Sequence, residues 1–191
     1  MRFLSSVLLI TLASLLSGCG ETQEPVRFAT PASPPVARVS IPLSSIAVRE
    51  VSLPSYATEE GVATVDASGA IIITPDTLWA DEPSRAVTLR LTSALADATG
   101  RVVASDPWPF SANPDAVVEV RVETFIAEEA GRFVAEGRYY VAHEDEERTD
   151  HAHKFELIEP FDPARGFPGI AAARAEVIAA LAEDIARRGL R

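Results

Sequence analysis

The chain predicts an α+β domain: an antiparallel β-sheet with two amphipathic helices packed on one face. Three observations carry this. Residues 117–126 (VVEVRVETFI) and 132–142 (RFVAEGRYYVA) alternate apolar and polar residues as half-buried strands do. Val87, Leu91, Leu95 and Ala98, and the segment from about Pro168 onward, repeat apolar residues at helical spacing. Turn-forming clusters at Asp66–Gly69 and Glu128–Gly131 separate the ordered segments.

The N-terminus is of another kind. Residues 1–18 (MRFLSSVLLITLASLLSG) join a basic start at Arg2 to a short apolar stretch and small residues. That stretch falls short of the roughly 20 apolar residues that cross a bilayer, so it reads as a secretory signal peptide. Leu16-Ser17-Gly18-Cys19 looks like the lipobox of bacterial lipoproteins. Such a sequence implies a diacylglyceryl group on the Cys19 sulfur, cleavage just before it, and acylation of the new amino group, with palmitate as the expected chain. Cys19 is the only cysteine, so the chain can form no internal disulfide, and a lipidated sulfur is neither nucleophile nor metal ligand. Each buried methylene contributes about 0.8 kcal/mol, so two or more acyl chains hold a protein firmly. Gly20 in place of Asp resembles the outer-membrane sorting class, which implies an outer-membrane anchor with the domain facing the periplasm.

Loss of residues 1–18 removes Arg2 and no acid, taking the net charge from −11 to −12. So acidic a chain argues against nucleic acid and against lying flat on anionic lipid. Residues 19–37 then carry Pro25, Pro31, Pro34 and Pro35 and read as the lipidated cysteine and an extended tether. At about 3 Å per residue the tether would reach some 50 Å. Residues 38–191 remain for the domain.

Within it, Val39–Ile41 and Ile46–Val51 read as a strand or a broken pair. Residues 61–65 and 70–74 form a hairpin around Asp66–Gly69. Asp81 is the expected N-cap of the first helix, whose stripe is Val87, Leu91, Leu95 and Ala98 and whose stop is Gly100. A short strand at Arg101–Ala104 ends before Pro107 and Pro109. In the next strand Val118, Val120, Val122 and Ile126 are expected on one face, and Phe133, Ala135, Gly137, Tyr139 and Val141 share a face of the one after it. Phe155 and Leu157 belong to a third, completing a meander. The closing helix is expected to bury Ile170, Val177, Ile178, Leu181 and Ile185 and to hold Arg174, Glu183, Asp184, Arg187 and Arg188 opposite.

The loop 143–153 contains His143, His151 and His153, every histidine of the chain. His151 and His153 would point the same way on a strand, yet neither spacing nor ligand set matches a recognised metal site, and a charge-rich loop is ordinarily solvated. No metal and no cofactor is expected. The sequence has no G-x-S-x-G, no phosphate-cradling glycine loop and no H-E-x-x-H, so the chain is not read as an enzyme. Leu53 and Tyr56 (LPSY), Trp108 and Phe110 (PWPF) and Trp79 are candidate contacts for a partner or lipid, because aromatic anchors near proline suit interfaces. The competing reading is that these rings close the end of a core.

Several segments together resemble a known family: Val48–Ala57 (VREVSLPSYA), Thr77–Pro83 (TLWADEP), Asp106–Phe110 (DPWPF), Val120–Phe125 (VRVETF), Gly131–Phe133 and Gly137–Tyr139. In this order they are similar to the ABC-type transport auxiliary lipoprotein component family, the PqiC-like group, from about Val39 to the last helix. The resemblance implies a non-enzymatic subunit beside an ABC transporter that carries an MCE-domain protein. It implies, further, a system that moves phospholipid or other hydrophobic molecules between inner and outer membranes. It also implies a homo-oligomeric ring. The alternative is a free-standing periplasmic module holding a small apolar ligand beside the sheet. A weaker third reading, a metal-dependent enzyme, would use the 143–153 loop. Changing Cys19 to Ser is expected to move the protein from the membrane to the soluble fraction, checked by fractionation and by the intact mass of the mature chain.

Overall fold

The computed structural model describes residues 24–32 and 34–191, so the signal peptide and Cys19 lie outside the described residues. Among the described residues no helix is long and apolar enough to cross a membrane. Eight strands form one open sheet: β1 (Val26–Phe28), β2 (Ser45–Val48), β3 (Gly61–Val65), β4 (Ile71–Trp79), β5 (Val102–Ser105), β6 (Ala116–Glu128), β7 (Arg132–His143) and β8 (His151–Pro160). A helical turn α1 (Ser55–Thr58) precedes two long helices, α2 (Pro83–Thr99) and α3 (Phe167–Asp184). A π-helical turn, Ile185–Gly189, continues α3.

The α+β architecture is the one the sequence predicts, and the β6–β7–β8 meander is antiparallel as expected. The rest of the sheet is mixed. β6 pairs along one edge with β7, and its other edge is shared in parallel by β2 at one end and β3 at the other. β5 adds to β2 in parallel, while β3 pairs antiparallel with β4 in the expected hairpin. Alternation in sequence reports which residues share a face and says nothing about which strand lies alongside, so the parallel joins were not visible in it.

Two further expectations give way at β6 and α2. Val118, Val120 and Val122 are buried as predicted, but the register with β7 shifts between Val122 and Thr124. This bulge at Glu123 reverses the phase, so Phe125 and Ala127 join the core cluster in place of Ile126. The N-cap of α2 is Glu82, not Asp81. Pro83 at the first helical position holds the residue before it extended, and Glu82 has φ −56° and ψ 125°. Its carboxylate accepts from the backbone N–H groups of Ser84 and Arg85. Gly100 stops the helix as expected, at φ 65°, with its N–H donating to the Ala96 carbonyl.

Strand β2 is shorter than the Ile46–Val51 stretch suggested, and Val39 and Ile41 reach the core from irregular chain. At the other end of the meander β7 extends to His143 and β8 begins at His151, leaving only 144–150 as loop. The stretch expected as a free tether is also partly structural. Val26, Arg27 and Phe28 pair in parallel with Thr77, Leu78 and Trp79, and Thr30 is buried.

The core lies between the sheet and the two long helices. Val87, Leu91, Leu95 and Ala98 of α2 and Ile170, Val177, Ile178 and Leu181 of α3 meet Val120, Tyr139, Val141 and Phe155 of the sheet. Burying one such leucine or isoleucine side chain contributes about 1.5–3 kcal/mol. Gly137 faces the β6 bulge, where an added Cβ would run into the Arg121 carbonyl oxygen and lie 2.9 Å from the Val122 Cα. Because both are backbone atoms, they cannot step aside. Gly137→Ala is therefore expected to lower stability by about 1–3 kcal/mol, measured by urea denaturation.

Candidate functional site

The helix stripe that runs Ile170, Ile178, Leu181 and Ile185 also passes through residue 174, four positions after the first and four before the second. That residue is Arg174. The expectation that it faces solvent with Glu183 and Arg187 is overturned: Arg174 is 2% exposed. Charge suggested the outer face, but helical spacing decides the direction of a side chain.

Two aromatic rings receive it. The guanidinium carbon lies 4.1 Å from the ring centroid of Trp79, at the end of β4, and 5.4 Å from that of Phe125, just past the β6 bulge. A desolvated cation over an indole gains about 2 kcal/mol. In the plane of the group, Nη2 donates to the Pro83 carbonyl at 3.3 Å, and Nε is buried with no partner among the described residues. No described carboxylate forms an ion pair with it, and the Coulombic pull of Glu82 only partly offsets the desolvation that pushes its pKa down to about 9. At neutral pH the group is a buried cation.

On one side of Trp79 opens a cleft of about 320 Å³, lined by Phe28, Thr30, Trp79, Leu89, Arg90 and Arg174 among others. Pairing of β1 with β4 sets Phe28 beside Trp79 and forms one wall, while α2 forms the other. Arg90 donates to the Thr30 carbonyl at 2.9 Å and ties the two walls together. Asp81, also on the lining, is occupied by Arg85 and by the Glu82 N–H. On the far side of Trp79 a pocket of about 20 Å³ lies among Tyr56, Phe125 and Phe133, and the Tyr56 hydroxyl accepts from the Phe125 N–H at 3.1 Å.

Of the residues predicted from sequence, Tyr56 and Trp79 meet around Arg174. Leu53 is part of the core. Trp108 and Phe110 lie apart, after β5, edge to face at 5.0 Å; the indole donates to the Ala112 carbonyl at 2.7 Å and Phe110 is exposed. Cys19 is outside the described residues. Sequence reading missed Arg174, Arg90 and Phe125; for Arg174 the signal was present in its place on the apolar stripe.

The three histidines do come together. The rings of His143 and His151 lie 5.9 Å apart and those of His151 and His153 5.8 Å, with His153 against Tyr139. Burial, then the nearby Arg148, holds the His143 pKa below its ordinary value. Among the described residues no group of three or more His, Cys, Asp or Glu is arranged to hold a metal ion. A separate surface feature is the start of β4. Ile71, Ile72 and Ile73 are 44–48% exposed, and β1 covers the outer edge of β4 only from Thr77.

A family model described as ABC-type transport auxiliary lipoprotein component matches residues 27–186. Among solved structures, an uncharacterized protein matches with a TM-score of 0.64 and 23% identity, over 81% of this chain and 98% of that one. A Xanthomonas campestris protein of the DUF330 family matches with a TM-score of 0.56 and 15% identity, over 85% and 90% of the two chains. A PelC dodecamer from Paraburkholderia phytofirmans matches with a TM-score of 0.43 and 14% identity, over 83% and 95%. None of the curated proteins compared matches. At these identities the first two likenesses concern the fold. Replacing a buried ion with an apolar group of similar volume is commonly neutral or stabilising. Arg174→Met is thus expected to unfold within about 1 kcal/mol of the parent or above it, whereas Trp79→Ala loses about 3–5 kcal/mol, both read by thermal or urea unfolding.

Proposed function

The chain belongs to the ABC-type transport auxiliary lipoprotein component family, and from that premise we propose that it is a non-enzymatic subunit of an MCE-type transport system. In this reading the system moves phospholipid or other hydrophobic molecules between the inner and outer membranes. The chain is anchored through acyl groups on Cys19 in the outer membrane, faces the periplasm and assembles as a homo-oligomeric ring. The family match across nearly the whole described domain carries the proposal.

The bare start of β4 supports a partner role. Three consecutive isoleucines point to both faces of the hairpin and flank an edge that no described strand pairs. Proteins usually blunt such edges with charge, proline or cover, because an open edge recruits another strand. We assign this edge to the MCE-domain protein.

The second reading, a free-standing binding module, draws on the cleft beside Trp79. Its lining departs from a purely apolar ligand, since Arg90 and Arg174 border it. Purification of the tagged full chain from its own membranes separates the two: the subunit reading expects an MCE-domain protein in the eluate, and the module reading expects a monomer carrying ligand. Ile72→Lys, a surface change expected to alter stability by no more than about 0.5 kcal/mol, should sharply lower recovery of the MCE-domain protein. Loss of self-association instead, seen by mass photometry with the partner still recovered, would assign the edge to a second copy.

A further inference from the structure

The Trp79 and Phe125 rings lie 4.1 and 5.4 Å from the Arg174 guanidinium carbon, but ring contacts do not use up its N–H donors, whose hydrogen bonds form in the guanidinium plane. Only one bond is made there, to the Pro83 carbonyl, and Nε is left without a partner although the side chain is 2% exposed. Taking a cation out of water costs several kcal/mol unless an opposite charge repays it, and Glu82, which makes no ion pair with Arg174, repays it only in part. A purely structural plug between two rings would be served as well by a methionine. The fork geometry of a guanidinium instead matches the paired oxygens of a carboxylate or phosphate.

We propose that the cleft between the β1–β4 pair and α2 binds the oxyanion headgroup of an amphiphile, a phosphate or carboxylate, with Arg174 as the pairing cation. Arg90 adds a second positive charge at the lining, and the two nearby acids are engaged elsewhere, Asp81 with the Arg85 guanidinium and Glu82 with the Ser84 and Arg85 N–H groups. A volume of about 320 Å³ admits a headgroup and the first few carbons, and excludes whole acyl chains. Those chains would leave past Leu89, which is 40% exposed, and Phe28. The inference goes beyond the transporter reading and stands without it, because it concerns this chain alone.

Trp79 reports directly on the site. In a Trp108→Phe background, the full chain in nonionic detergent is titrated with inorganic phosphate, dihexanoyl phosphatidate, octanoate and octanol, following indole emission. Phosphatidate and octanoate should give saturable changes, phosphatidate about tenfold tighter than inorganic phosphate, and octanol none. Arg174→Met should weaken phosphatidate at least about tenfold, the loss of one charge-assisted hydrogen bond, and Arg174→Lys should recover part of it. Leu89→Asp puts an opposing charge at the exposed rim without touching the core and should weaken binding with an unchanged melting temperature. Octanol binding as well as phosphatidate, or parental affinity in either Arg174→Met or Leu89→Asp, would overturn the proposal. Equal affinity for inorganic phosphate and phosphatidate would overturn the amphiphile assignment. No transporter protein is present in the assay, so its failure leaves the subunit reading untouched.

Discussion

Everything in the sheet is attached through β6. Its thirteen residues run along β7 on one edge, paired at every position but Glu123, and β8 follows β7. The opposite edge is divided between β2, which brings β5, and β3, which brings β4 and β1. A strand that long twists, and a regular pleat would carry its alternation unchanged from end to end. The bulge at Glu123 breaks that regularity once, so Val118, Val120 and Val122 before it and Phe125 and Ala127 after it all enter the core. Gly137 sits across from the irregularity, where the β6 backbone comes too close for any side chain.

The same bulge positions the candidate site. It turns Phe125 inward, β4 ends at Trp79, and α3 brings the Arg174 guanidinium against both rings. Three elements far apart in sequence thus converge on one charge. The arrangement is compact but electrostatically incomplete, since aromatic faces compensate a cation less fully than an anion does.

Elements whose signal is local were legible in the sequence. The alternation of β6 and β7, the hairpin around Asp66–Gly69, the stop at Gly100 and the stripes of α2 and α3 all depend on residues a few positions apart. Partners were not legible: nothing in Ser45–Val48 announces that it lies parallel to both β5 and β6. The bulge hid for a related reason, since it is an event between two strands rather than within one. Arg174 is different. Its position was legible from spacing, and its charge led the reading away from it. Of the aromatic candidates, Trp79 and Tyr56 were found but not the cation that joins them, and Trp108 and Phe110 belong to another surface.

Pairing of Val26–Phe28 with β4 sets the length of the leash. Only residues 20–25 separate Cys19 from the sheet, a span of at most about 25 Å even when fully extended. A bilayer that held Cys19 would keep β1, and the cleft whose wall β1 forms, within roughly one domain diameter of its headgroups. A domain on so short a leash would stay beside that bilayer, and anything farther off than its own width would have to be brought to it.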